Sequence, residues 1–199
     1  MNHPERSVER DVAIEAMLPH VPFDGWTRKA LAMGLRDAGM PADEVDLLFP
    51  LGVVDMVATF CDWADRRMTE AAASLEEPRV SRRVKATIAL RFQQNREHKE
   101  AIRRAIGILA LPANARHAMA CTARTVDAIW HAAGDRSADF SWYTKRAILT
   151  GVYSAAVLFW LRDRSEDDAD TMAFLDRRFA GVARLGRFKP PFLARLATA

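Results

Sequence analysis

Cysteine is nearly missing from this chain of 199 residues, with only Cys61 and Cys121 present. Two thiols, each in an apolar helical pattern, make no disulfide framework; they read as buried free thiols in a reducing compartment. Strand signals are equally thin. No long stretch alternates polar and apolar residues, and no Asn-Gly or Asp-Gly turn joins two β-branched runs, which argues against a sheet-based fold. Long hydrophobic runs are lacking too. The most apolar stretch, Ala147 to Leu161, is about 15 residues against the roughly 20 that a membrane-spanning helix needs, and it contains Thr150, Gly151 and Ser154. The segment Met1–Asp11 carries Glu5, Glu9 and Asp11 and no apolar centre, so it reads as neither a secretory signal nor a transit peptide. Neither sign of charge dominates: 29 basic and 26 acidic residues leave +3. That balance is compatible with weak attraction to an anionic surface and does not require one.

Catalytic patterns are missing as well. There is no P-loop, no G-x-G-x-x-G and no G-x-S-x-G. No Glu-x-x-His pair occurs, and a di-iron carboxylate bundle needs two. His117 and Cys121 stand four apart on one helix face without an obvious third ligand, so they read as a buried pair and not a metal site. His131 ends a helix, where the dipole favours a partial positive charge. The expectation is therefore no catalytic residue, no metal and no cofactor: the chain is not an enzyme.

Half the residues are hydrophobic, and Ala, Arg and Leu, all good helix formers, lead the composition, so the chain reads as all-α with a sizeable core. A first helix runs from about Ser7 to His20, with Ile14, Met17, Leu18 and Val21 on one face, and Pro22 ends it. A second starts after Trp26 with Thr27 as N-cap and ends at Gly39. A short third follows Pro41 and stops at Pro50. A long fourth spans Leu51 to Ala73, with Val53, Met56, Phe60 and Trp63 in one stripe. Pro78 separates it from a fifth, basic helix through Val84, Ile88 and Phe92, which Gly107 and Pro112 interrupt. A helix from Ala113 to Ala133 then closes at Gly134. The short loop forces the next helix, about Asp139 to Arg162, to fold back antiparallel. An acidic loop, Glu166 to Asp170, precedes a last helix through Met172, Leu175, Phe179 and Val182. The division is a head over 1–50, a helical ligand-binding and dimerisation domain over 51–187, and a short tail over 188–199.

Residues Phe23 to Pro50 have helix-turn-helix spacing and resemble the DNA-binding head of TetR-family repressors. In that frame Met40 to Pro50 is the reading segment. It contains Asp43, Glu44 and Asp46 and no lysine or arginine. Nucleic-acid affinity rests on cationic phosphate contacts, and base edges favour Arg, Lys, Asn and Gln. Each carboxylate held against that polyanion costs about 1 kcal/mol even with solvent screening. Shape points to the repressor fold; charge points away from nucleic acid.

The stretch Trp130-His131-Ala132-Ala133-Gly134-Asp135-Arg136-Ser137-Ala138-Asp139-Phe140-Ser141-Trp142-Tyr143-Thr144-Lys145-Arg146 resembles the signature of the Coq-nine family of ubiquinone-biosynthesis accessory proteins. Val21 to Thr27 is similar to the start of that family's head. Ala105 to Pro112 is similar to its A-x-x-I-L-x-L-P stretch. The resemblance implies a TetR-like bundle with a degenerate head and a cavity for isoprenoid, quinone-precursor or phospholipid ligands. It also implies a homodimer, support of the di-iron demethoxyubiquinone hydroxylase, and a cytoplasmic protein held peripherally at the inner membrane. Ile129, Asp139, Trp142, Tyr143 and Arg146 are carried over as partner contacts. Aromatic anchors rimmed by charge suit an interface, and core packing of the same rings is the alternative.

Apolar-face candidates for the lipid cavity are Phe60, Trp63, Leu90, Ile106, Met119, Thr122, Val126, Leu158, Phe159 and Met172. Small residues such as Ala123, Gly151 and Ala155 leave irregular room among them. The tail, with Phe188, Phe192, Leu193 and Leu196 beside Arg187, Lys189 and Arg195, reads either as a short interfacial anchor broken by Pro190-Pro191 or as a frayed end. Two rivals stay open: a TetR-type regulator binding DNA and a hydrophobic effector, and a helical interaction module with a solid core.

Overall fold

The computed structural model describes residues 3–135 and 140–187. Among the described residues there are helices and no strand, and no single helix is long and apolar enough to cross a membrane. Ser7 opens α1 (Val8–Met17), its hydroxyl accepting from the Arg10 N–H at 3.1 Å. This helix stops before His20. Pro22, expected to terminate it, sits in the first turn of a one-turn helix, α2 (Val21–Asp24), where a missing N–H removes no helical bond. Thr27 caps α3 (Arg28–Asp37) by accepting from the Ala30 N–H at 3.2 Å. Gly39 then turns the chain at φ +69°. A 3-10 turn over Ala42–Glu44 leads into the one-turn α4 (Val45–Leu48) and on to the long α5 (Val53–Ala72).

The basic segment after Pro78 is two helices and not one: α6 (Val80–Gln94) and α7 (Lys99–Leu109). The break is at Asn95, whose side-chain amide donates back to the Arg91 carbonyl at 2.8 Å while its backbone moves to φ −111°. Such a local bond competes with continuation of the helix. Gly107 lies inside α7 and interrupts nothing. A 3-10 turn over Pro112–Asn114 opens α8 (Ala115–Ala132), which is followed by α9 (Phe140–Trp160) and α10 (Ala169–Arg187).

Apolar burial falls into two clusters. The first gathers α1, α3, Val45, Phe49 and the front of α5, and extends to Ala101 and Ala105 of α7. The second joins Met68 to α6, α8, α9 and Leu175 of α10. Fully burying each large side chain contributes about 1.5–3 kcal/mol. Two polar fixtures orient the ends. Trp26 Nε1 donates to the Ala101 carbonyl at 2.8 Å, tying the head to α7. Asp163 accepts from the backbone N–H groups of Ser165 and Thr171, each at 2.8 Å, and from both hydroxyls. Burial opposes the Asp163 charge, but these donors hold its carboxyl down at about 2. Asp168 in the same loop reaches back to Arg96 and Lys99 at 3.0 and 2.7 Å, so the acidic loop pins α10 to the α6–α7 corner.

The crossing of α1 and α3 depends on Gly34. A Cβ there would lie 2.6 Å from the Met17 amide nitrogen, with the Ala16 carbonyl carbon and Met17 Cα at 2.8 Å. Backbone cannot yield as a side chain can. Gly34→Ala should therefore destabilise by about 1–3 kcal/mol in urea unfolding. Gly107→Ala, with nothing within 4 Å of its Cβ, should stabilise by about 0.5–1 kcal/mol. Equal effects at the two sites would refute the close-crossing account.

Candidate functional site

Helices α5 to α9 enclose a cavity of about 310 Å³. Its walls are apolar: Phe60 from α5, Ile102, Ala105 and Ile106 from α7, and Val157 from α9. Phe92 and Trp160 face it as a stacked pair, ring centroids 4.8 Å apart and planes 7° from parallel. The mouth lies where Ala110, Ser154 and Leu158 are exposed. A space of this size sits at the lower end of the roughly 300–1,000 Å³ typical of small-ligand sites.

The inner wall is polar and buried. Arg91 Nη1 meets Asp65 Oδ1 at 2.5 Å, and Arg91 Nε donates to the Tyr153 hydroxyl at 2.8 Å. Thr125 donates to the other Asp65 oxygen at 3.0 Å. Burial pushes the Asp65 carboxyl up to about 6, against the pull of Arg91 and the Thr125 hydroxyl. Burial works against the Arg91 charge, yet Asp65 and Tyr153 keep the guanidinium protonated. Burial also raises the Tyr153 hydroxyl. Asn95 adds its side-chain amide oxygen, which is buried and has no protein partner.

Both cysteines face this cavity. Cys61 donates to Cys121, and that bond, with Arg124 alongside, lowers the Cys121 thiol to about 7 while raising Cys61 well above its ordinary value. Arg124 Nη2 lies 3.3 Å from Cys121 Sγ. The expected pairing of Cys121 with His117 is corrected. His117 is exposed near the start of α8, whereas Cys121 turns inward to α5. No group of three metal-ligating side chains occurs among the described residues.

Of the ten expected lipid contacts, Phe60, Ile106, Thr122 and Leu158 line the cavity. The other six lie elsewhere. Trp63 is packed in the first core under Arg67, 4.4 Å from its ring centroid. Val126 belongs to the second core, and Met172 packs against it. Phe159 stacks on Phe174 at 4.6 Å. Met119 is 73% exposed, and Leu90 is half-buried on the far side of α6 from the lining residues. The small residues that open the space are Ala105, Ala110 and Ala118, not Ala123, Gly151 or Ala155. Arg91, Asn95, Ile102, Tyr153 and Trp160 are among the lining residues that were not expected there.

The five expected partner contacts also separate. Tyr143 is 69% exposed and packs edge-on against Trp142 at 4.7 Å. Arg146 stacks over Trp142 at 3.9 Å and donates twice to Asp127, at 2.8 and 2.6 Å. Trp142 and Arg146 border a second concavity of about 890 Å³, lined by Arg6, Asp62, Arg66 and Arg124. Ile129 is corrected: it is fully buried in the second core and offers a partner no surface. Asp139 and the 188–199 tail lie outside the described residues.

The buried carboxyl gives this site a pH signature. A folded value near 6 against 3.8 unfolded means the folded state holds its proton longer. The stability linked to Asp65 is full below the unfolded value and is lost as pH rises through 6. Compared with Asp65→Asn, the wild-type chain should lose stability between pH 4 and pH 6, read by urea titration at each pH. A constant difference across that range would show that Asp65 does not titrate there.

Comparison with known proteins places this architecture. A family model described as COQ9 matches residues 115–186. The ubiquinone biosynthesis protein COQ9 of Xenopus tropicalis mitochondria is 31% identical over 182 residues, covering 87% of this chain and 57% of the relative. The Schizosaccharomyces pombe counterpart, also mitochondrial, is 34% identical over 177 residues, covering 86% of this chain and 69% of its own length. The chain thus spans little more than half the length of several curated relatives. In fold it is similar to the crystal structure of a TetR transcriptional regulator from Nitrosomonas europaea, with a TM-score of 0.70 at 22% identity over 87% of this chain and 97% of that one. A TetR-like all-α fold, a matching family model and extended identity agree: the chain belongs to the COQ9 family.

Proposed function

We propose that this protein is a non-enzymatic lipid-binding accessory protein of ubiquinone biosynthesis. Its cavity takes up an isoprenoid or quinone lipid, and the start of α9 docks the di-iron demethoxyubiquinone hydroxylase. The observation that carries the reading is the apolar cavity of about 310 Å³ with a mouth at the surface. An apolar chain entering it gains about 25 cal/mol for each Å² removed from water. The relatives, named as ubiquinone biosynthesis proteins, supply the pathway.

The docking half rests on Tyr143. It is an exposed aromatic of the family signature, braced by Trp142 and the Trp142–Arg146 stack. The head supports a role away from nucleic acid. Its reading segment has shrunk to a 3-10 turn and one helical turn, and Asp46 there is paired with Arg28 of α3. A homodimer and peripheral attachment to the inner membrane from the cytoplasmic side belong to the same proposal.

Native mass spectrometry of the purified chain should show a co-purified isoprenoid, quinone or phospholipid. Ala118→Trp, which fills the lining from a half-buried position, should remove it while circular dichroism stays unchanged. Lipid-free protein that takes up none on incubation would refute the cavity assignment. Separately, Tyr143→Lys should weaken hydroxylase capture by about thirtyfold or more, the scale of an interface hot spot, with no change in melting temperature. Undiminished capture would place the docking surface elsewhere.

A further inference from the structure

The cavity holds one feature that lipid binding does not use. Cys61 of α5 and Cys121 of α8 come together on its wall as free thiols. They are not equivalent. Arg124 Nη2 is 3.3 Å from the Cys121 sulfur, and the neighbouring Cys61 thiol also favours the charged form of Cys121. Arg124 Nε is buried and has no protein partner, and the positive group beside Cys121 favours a negative charge on that sulfur. Cys61 donates and keeps its proton. A thiolate-prone sulfur in contact with a protonated second thiol has the make-up of a two-electron couple: one group attacks, the other resolves. The surroundings select the reactant. The neighbouring walls are Phe60, Ile106 and Leu109, so an apolar electrophile is favoured over a charged one.

We propose that Cys61 and Cys121 form a redox-active dithiol that reduces the quinone ring of a lipid bound in the cavity. The proposal rests on the reading of the cavity as a lipid site and adds an electron-transfer chemistry to it. The Cys121 thiolate adds to a ring carbon, forming a C–S bond. The displaced π electrons move to the carbonyl oxygen, which takes a proton. The Cys61 sulfur, losing its own proton, then attacks the Cys121 sulfur. The C–S bond breaks and leaves its electron pair on the ring, which takes the second proton. Two thiols and one quinone become one disulfide and one quinol, with no further oxidant or reductant. Cys121 is the attacking residue and Cys61 the resolving residue.

The test uses the full chain, fully reduced and handled without oxygen, mixed with a fully substituted benzoquinone that carries a decyl chain. Binding is followed by tryptophan fluorescence, since Trp160 lines the cavity. Reaction is followed by quinone absorbance and by intact mass. The expected result is one quinone reduced per chain, loss of two titratable thiols and a mass lower by two hydrogens. Cys121→Ser should leave the quinone oxidised and Cys61→Ser should stop at the Cys121–quinone adduct with no quinol released, both still quenching fluorescence. The tail-less benzoquinone with the same ring should react about tenfold more slowly or worse, because holding the ring at the thiols supplies the rate. Quenching without thiol loss would overturn the dithiol proposal and leave the lipid-site reading standing. Equal rates with and without the tail, or reduction by Cys121→Ser, would also overturn it. Absence of quenching by the decyl quinone, together with failure to take up any other lipid, would overturn both.

Discussion

The buried pair of Asp65 and Arg91 is the constraint around which the second half of the molecule is arranged. Neither group is exposed, so each has to find its partners inside. Asp65 comes from α5, Arg91 from α6, Thr125 from α8 and Tyr153 from α9. Satisfying one ion pair therefore fixes the mutual register of four helices. Removing one partner from such a pair costs about 3–5 kcal/mol, because the other charge is left stranded. A solid hydrocarbon core would be at least as stable. What the polar arrangement supplies is a wall that cannot collapse: Arg91 and Tyr153 hold each other at hydrogen-bonding distance, and the space beyond them stays open between Phe92, Trp160 and α7.

The head is linked to that space through α7. Ala101 and Ala105 are buried in the head's core, and Ala105 with Ile102 and Ile106 forms one side of the cavity. Trp26 is bonded to the Ala101 carbonyl. The segment between Gly39 and α5 is a 3-10 turn and one helical turn with three carboxylates, one of them paired with Arg28. It carries no cation of the kind that phosphate binding uses. Arg10 shows the same head braced for stability. Arg10 is 3% exposed, its guanidinium bonds Asp55 and Thr59 at 2.6 and 2.8 Å, and it lies 4.4 Å from the Phe49 ring centroid. The α1 helix and Phe49 are thereby both tied to α5.

How much was legible in the sequence depended on whether the signal was local. Thr27 as a cap, Gly39 and Gly134 as turns and the antiparallel return after the latter follow from single residues with a backbone reason to be there. The break at Asn95 was missed because its cause is a side-chain bond that no periodicity records. Reading α6 and α7 as one helix then hid the face of α7, and with it Ile102 and Ala105. Trp63, Val126 and Phe159 satisfied the apolar pattern as well as Phe60 did. Stripes show which face is buried, and they do not distinguish a filled interior from an open one. Arg91 and Asp65 carried a usable signal: charged residues interrupting apolar stripes, at Arg91-Phe92 and between Trp63 and Met68. Such a residue is seldom fully buried without a partner, so the two asked to be paired.

The size of the cavity bears on the proposed function. About 310 Å³ accommodates a small ligand or one end of a long one, not a polyprenyl chain of many units. On the lipid-binding reading, the remainder has to leave through the mouth. The exposed apolar residues nearest in sequence to the lining are Leu111, beside Ala110; Met119, beside Ala118; and Leu158 itself, at 56, 73 and 55% exposure. Singly, exposed apolar side chains need no explanation. Of these, Leu158 lines the cavity and stands at its mouth, where it carries the apolar lining to the surface. A protruding chain would meet hydrocarbon there instead of water, and so would a bilayer or a partner laid across the mouth. The polar inner wall favours a ligand whose functional end goes in first, since a bare hydrocarbon would leave the Asn95 side-chain amide oxygen without a donor at a cost of about 1–3 kcal/mol. Head inward and tail outward is the orientation that satisfies both ends of the space at once.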